Sequence, residues 1–321
     1  MFTRRLALAL CAALVSLPAA AQDFPNRPIT LIVPLQAGTA SDLVARVVAQ
    51  NVTARTGKTI AIENVTGAGG AIGAQRVARA DADGYTIGAF NNGVHTILPS
   101  TGMKLGFDPF TDFVPVTLLA RFPSVLIASP KLPIKSLKEL IEMAKKEPGK
   151  ITYASVGVGS PQHLAMEQLK ADGGFDMLHV PYRGGAQATQ AVSTGEVQAF
   201  WIATSVALPF IQANTVRALA VGDRVRTKTL PDVPTVDEAG VKGYEYMPTL
   251  ALFAPKGTPP AALAWLHKEF TNSLREPEVI KRLDAAGLEA HTSTGDELQA
   301  SLTAEAKRMA PLVKKLGIGQ N

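Results

Sequence analysis

Short apolar runs alternate along the chain with longer stretches in which apolar residues recur every three or four positions. Ile29 to Val33 reads as a buried strand. From about Ser41, Leu43, Val44, Val47, Val48 and Val52 fall on one helical face, and Gly57 ends the run. Thr59 to Glu63 is the next strand; after Gly67-Ala68-Gly69-Gly70 and the turn Asp81-Ala82-Asp83-Gly84, Tyr85 to Phe90 is a third. A second set opens near Val125 to Ala128. Ser136 and Glu139 have capping-box spacing before a helix with Leu140, Ile141 and Ala144 inward, which Pro148-Gly149 stops. Strands are predicted at Ile151 to Ser155, Met177 to Val180, Val197 to Trp201 and Val216 to Val221. Gly222 to Pro248, rich in Pro, Gly and charge, reads as a long connection rather than core, and Thr249 to Ala254 as a last strand. Helices then start at Thr258-Pro259, at Pro277, and at a second capping box, Thr294 to Glu297, running to about Leu316. The alternation predicts βαβ units with mostly parallel sheets in two α/β domains. Ligands in such folds sit at strand carboxyl ends, so the cleft between the domains is the expected site.

The N-terminus departs from this pattern. Arg4-Arg5, the apolar run Leu6 to Leu17 and the small residues Ala19-Ala20-Ala21 read as a cleavable secretory signal over residues 1–21, too short to span a bilayer. The whole chain of 321 residues carries 32 Lys+Arg against 27 Asp+Glu and one Cys. Removing the leader takes Arg4, Arg5 and Cys11 with it, leaving 300 residues with net charge +3 and no thiol. Cysteine catalysis and Cys-ligated metals are thereby excluded, and no basic block denser than Lys145-Lys146 supports a nucleic-acid partner. The expected product is periplasmic.

Four strand-to-helix turns could carry chemistry. Pro34 to Asp42 would expose backbone N–H groups at a helix N-terminus, which favours an anion without a basic side chain. The others are Gly67 to Gly73, Ser155 to His163 with Ser160 as N-cap and Pro161 behind it, and Pro181-Tyr182-Arg183-Gly184-Gly185. The Gly67 segment fails as a dinucleotide fingerprint because Ile72 stands where the third Gly is needed. A hydrolase would require Ser155 or Ser160 to pair with His163, but no GxSxG elbow is present and Ser160 is better explained as a cap. The five histidines, at 95, 163, 179, 267 and 291, form no HExxH and no i, i+4 pair, so no metal site is expected, and no cofactor.

With these residues in place, the chain resembles the substrate-binding receptors of tripartite tricarboxylate transporters, the Bug-type periplasmic solute receptors. The likeness runs from Phe24-Pro25 through Asp42, Ala45-Arg46, Glu63-Asn64, Asp83-Gly84-Tyr85-Thr86, Asp112 to Val116, Tyr153-Ala154-Ser155, His163-Leu164, Val180 to Gly185, Arg217 to Val221, Pro231 to Thr235 and Gly257-Thr258-Pro259. It implies a two-lobed, type II-like periplasmic-binding-protein fold, a Venus flytrap with lobe 1 at 22–121 plus 249–321 and lobe 2 at 122–248. Such a receptor, a monomer and not an enzyme, closes on a small organic carboxylate and delivers it to membrane permease subunits; the same fold and cleft would also serve a sensor kinase. The resemblance places the ligand carboxylate on Leu35, Gln36, Ala37, Gly38, Thr39, Ala40, Ser41 and Asp42. The other lobe contributes Ser155, Val156, Gly157, Ser160 and His163, with Asn92, Tyr182, Arg183, Trp201, Ile202 and Ala203 as further candidates. Two departures bear on the ligand: the first loop lacks the family's usual aromatic, Pro and one Gly, and Ile202 stands about where many relatives carry Asp. The missing Asp points to an acid with an apolar or aromatic far end rather than a short polar dicarboxylate.

Overall fold

A computed structural model describes residues 24–318. The expected leader, residues 1–21, lies outside them. Two mixed sheets organise the chain. The first contains β1 (Ile29–Val33), β2 (Ile60–Asn64), β3 (Thr86–Asn91), β4 (Phe113–Arg121), β10 (Thr249–Pro255) and β11 (Glu289–Ala290), in the order β11-β4-β10-β3-β1-β2. The second contains β5 (Ser124–Ala128), β6 (Thr152–Ser155), β7 (Leu178–Pro181), β8 (Ala199–Ala203) and β9 (Arg217–Val221), in the order β7-β6-β8-β5-β9. Only the β2-β1-β3 and β7-β6-β8 portions are parallel; β10, β4 and β11, like β5 and β9, pair antiparallel. The sheets are therefore not mostly parallel as the alternation predicts: β5, which follows Phe122-Pro123, and β10, which follows residues 222–248, each run against both of their neighbours.

Helices cover both faces of both sheets. In chain order they are α1 (Ala40–Thr56), α2 (Ala71–Ala78), α3 (Gly93–Thr96), α4 (Leu137–Lys146), α5 (Pro161–Gly173), α6 (Gly185–Thr194), α7 (Thr204–Gln212), α8 (Pro260–Arg275), α9 (Pro277–Ala285) and α10 (Gly295–Lys315). Continuous apolar runs are therefore required of the central strands. In β1, Ile29, Leu31 and Val33 enter one core and Ile32 the other; in β8, Ala199 and Trp201 face one side and Phe200 and Ile202 the opposite one. Helix ends follow their predicted signals. Gly57 takes a left-handed conformation at φ 69° after α1, and Thr294 with Glu297 forms a reciprocal capping box on α10. At α4 the box is incomplete: Ser136 accepts the Glu139 N–H, but the Glu139 carboxylate turns to the Lys135 N–H.

Three segments join the halves. Phe122-Pro123 links β4 to β5, residues 222–248 link β9 to β10, and the first two crossings are bonded where the Phe122 N–H donates to the Pro248 carbonyl at 2.9 Å. The third is α10, whose Leu298 and Leu302 pack beside the first sheet and whose Met309, Leu312 and Val313 pack in the core of the second. A boundary that gives all of 249–321 to the first half does not describe that last portion. Residues 222–248 also differ from expectation. Val236, Val241, Tyr244 and Tyr246 are buried in the second half's core, and the Tyr244 hydroxyl donates to the Ala165 carbonyl at 2.8 Å. The segment lacks regular periodicity because turns, not a helix or strand, present these side chains.

Candidate functional site

Two cavities lie between the halves and share Phe122, Pro161, Tyr246 and Pro248 as a common wall. The first, about 620 Å³, is bordered by the β1–α1 loop, the Gly67–Gly70 turn, Asn91 to Gly93, Gly159 of the second half, and Ile318 after α10. The second, about 390 Å³, is bordered by Ala40, Gln162, Trp201, Ile202, Ala203, Val206 and the Ala286–Leu288 turn. Among the described residues, no Asp, Glu, Lys, Arg or His borders either chamber.

The first loop is shaped by its own polar residues. Thr39 caps α1 by accepting the Asp42 N–H, and Gly38 sits at φ +84°, a left-handed position that suits glycine. The buried Asp42 carboxylate accepts the Gly38 N–H, the Arg46 Nε–H and the Asn64 Nδ2–H, each at 2.9 Å. Asn64 also donates to the Leu35 carbonyl at 3.0 Å, while its own oxygen accepts from Arg46 at 2.9 Å. Burial raises the Asp42 pKa, but the bonds from Arg46, Gly38 and Asn64 outweigh it and hold the group at about 2. Asp42 is thus a permanent anion whose oxygens are occupied inside the loop. It builds the turn that leaves Leu35, Gln36, Ala40 and Ser41 on the cleft walls.

The opposite turn is built similarly. Ser160 caps α5 by accepting the His163 N–H at 3.3 Å, and His163 Nδ1 accepts the Gly159 N–H at 3.1 Å. Ser155 is fully buried; its hydroxyl meets His179 Nε2 at 2.6 Å and also the Gly157 N–H at 3.0 Å. The rings of His163 and His179 stack at 4.1 Å, with Tyr153 beyond His179 at 5.1 Å. Burial, then the neighbouring His163, lower His179 to about 4; burial lowers His163 also. Both imidazoles are neutral packing groups. The imagined Ser–His163 pair is replaced by a buried Ser155–His179 contact, with Ser160 occupied as a cap.

Of the residues singled out in the sequence, Leu35, Gln36, Ser41 and Asn92 border the first chamber and Ala40, Trp201, Ile202 and Ala203 the second. Ala37, Gly38, Thr39, Asp42, Ser155, Val156, Gly157, Ser160 and His163 form the turns behind the walls rather than the walls. Tyr182 and Arg183 stand away from both: Tyr182 donates to Glu196 at 3.0 Å and Arg183 is exposed. Trp201 occupies the middle of β8 instead of its end. Sequence reasoning missed Phe122, Tyr246, Pro248, Ile318 and the Ala286–Leu288 turn, which no local signal marks because they reach the cleft only through the crossings between halves. The Gly67–Gly70 turn did carry a signal, its four-residue glycine-rich run.

The profile of the tripartite tricarboxylate transporter family receptor matches residues 44–318. Among solved structures, the periplasmic binding protein BugD is 35% identical with TM-score 0.70, covering 92% of this chain and 99% of its own. Rpa4515 of R. palustris with adipate is 32% identical with TM-score 0.74 over 92% and 99% of the two chains. MatC of Rhodopseudomonas palustris with bound malate is 31% identical with TM-score 0.70 over 90% and 100%. Two α/β halves around a cleft, a profile match over most of the chain and these likenesses together establish that the chain belongs to the tripartite tricarboxylate transporter receptor family.

Proposed function

We propose that this protein is a periplasmic solute receptor that captures a small organic carboxylate between its halves and delivers it, as a monomer, to a tripartite tricarboxylate-type permease. The carrying observation is that α1 and α5, from opposite halves, begin on one cleft: Ala40 and Ser41 from the first, Pro161 and Gln162 from the second. Beyond the N–H groups taken by the caps, α1 leaves those of Ala40 and Ser41 and α5 that of Gln162, Pro161 having none, and each terminus adds partial positive charge, so a carboxylate bound between them bonds to both halves and favours the closed form. The adipate and malate held by Rpa4515 and MatC support a carboxylate as ligand. The candidate leader at residues 1–21 supports export.

Calorimetric titration of the mature protein with mono-, di- and tricarboxylates tests this. Ala40→Glu would set a fixed carboxylate at the first helical position of α1, which the helix tolerates and a bound anion does not. Binding by the parent and its loss in the folded variant are expected; no binding of any carboxylate, or equal binding by both, overturns the reading.

A further inference from the structure

We infer that Glu305 is a positioning residue for ligand capture: it holds the Asn92 amide at the wall of the first chamber and gains a proton when an anion binds there. This rests on the carboxylate reading above and adds a proton to it. Asn92 follows β3 and borders the first chamber together with Ser41. Its amide is pinned from two sides. The Asn92 Oδ1 accepts the Thr249 N–H at 3.3 Å, and its Nδ2–H donates to the Glu305 carboxylate at 2.6 Å. An amide held at both its oxygen and its nitrogen keeps one orientation.

Glu305 itself does not border that chamber. It lies on a separate cavity of about 530 Å³ between β4, α10 and the 222–248 segment, with Arg121, Arg224, Arg308 and Glu245 also on its walls. One side-chain amide thus separates the carboxylate from the ligand chamber, and the second cavity lets it exchange protons without the halves parting. Among the described residues, no Lys or Arg pairs with Glu305; Arg308, the next turn of α10, pairs with Glu245 at 4.0 Å. An ionised Glu305 therefore opposes a second negative charge across Asn92, whereas the protonated acid does not. Ligand and proton then favour each other's binding by the same factor.

The surroundings leave Glu305 as the group that responds. Burial raises it to about 7, against the lowering by Asn92 and Arg308 and with Glu245 adding to the rise. Glu245 is bonded to Arg224 at 2.7 Å, and Arg121 pairs with Asp223 at 3.4 Å. On α3, burial holds His95 at about 4; across the cavity, burial and then Arg121 lower His291, so both imidazoles are neutral above pH 6.5. The Thr294 N–H keeps Glu297 ionised, and burial raises Tyr246 so that it stays neutral.

The test is calorimetric titration of the mature protein with adipate, malate and benzoate between about pH 6.5 and about pH 8.5, in buffers of different ionisation enthalpy, which reads proton uptake directly. If binding tightens the Glu305 proton about tenfold, the parent takes up about half a proton near pH 7.5 and loses roughly fivefold in affinity across the range. Glu305→Gln keeps an acceptor for Asn92 and removes the charge; it should bind without proton uptake and with the same affinity at every pH. Arg308→Gln, at an exposed position, removes a neighbouring cation and should move the parent's loss of affinity to higher pH, whatever Glu305→Gln does to folding. A merely structural role would change affinity equally at all pH values. Binding without proton uptake by the parent, or uptake unchanged in Glu305→Gln, would overturn this inference and leave the carboxylate reading intact. Absence of binding by all three acids at every pH would overturn both.

Discussion

Gly287 and Ser205 meet across the two halves so closely that the Cβ of any other residue at 287 would stand 2.0 Å from the Ser205 Cβ. Gly287 follows α9 in the first half and Ser205 opens α7 in the second, both on the wall of the second chamber. Gly287 also has φ +71°, a strained value for a side-chain-bearing residue. Gly287→Ala should therefore hold the halves apart. Ligand affinity should fall by about tenfold or more, and X-ray scattering should show a larger radius with saturating ligand. Unchanged affinity and radius would remove this contact from the closed form.

Asp42 should govern acid stability of the first loop. Its folded pKa, about 2, lies below the ordinary 3.8, so the contribution is fully present above pH 3.8 and is lost as pH falls through about 2. Asp42→Ala strands three donors and should cost about 2–3 kcal/mol at pH 7, seen as a lower denaturant midpoint with an unchanged slope. A loss equal at pH 7 and pH 2 would show that the carboxylate charge is not responsible.

Glu305 on α10 behaves oppositely. Its carboxylate accepts the Asn92 Nδ2–H at 2.6 Å, yet burial raises it from 4.5 to about 7, against the lowering by Asn92 and the nearby Arg308, with Glu245 adding to the rise. A raised acid binds protons more tightly when folded, so its contribution is present below pH 4.5 and is lost as pH rises through about 7. Glu305→Gln should flatten the thermal stability profile over that window and raise the melting temperature at pH 8. A profile that keeps the parent's slope would assign it to another group.

Ser160 should act as a cap and nothing more. Ser160→Ala is expected to cost about 1 kcal/mol of stability while changing carboxylate affinity little. A much larger loss of affinity at constant stability would place the hydroxyl on the ligand.

Much of the fold was legible because its signals are local. The periodicity of Val44, Val47, Val48 and Val52, the Thr294–Glu297 box and Gly57 each act within a few residues, and each appears as read. The nine-residue β4 carries no such local signal, since Pro115 interrupts Phe113–Arg121 and its partner β10 is more than a hundred residues away. Tyr244 and Tyr246 read as part of a connection for the same reason: their burial depends on α5 and α10, which sequence spacing cannot bring to them.

The candidate site divides along the same line. The capped turns at Thr39 and Ser160, the glycine-rich run at 67–70 and the family likeness can be read along the chain, because backbone conformation and capping are set by near neighbours. It takes the packed molecule to show that Asp42 is spent on its own loop, that Tyr182 and Arg183 face elsewhere, and that Phe122, Tyr246 and the Gly287 turn enclose a chamber without charged side chains on its walls. Those outcomes depend on how two separately packed halves meet, and that geometry is fixed by contacts between residues far apart in the chain.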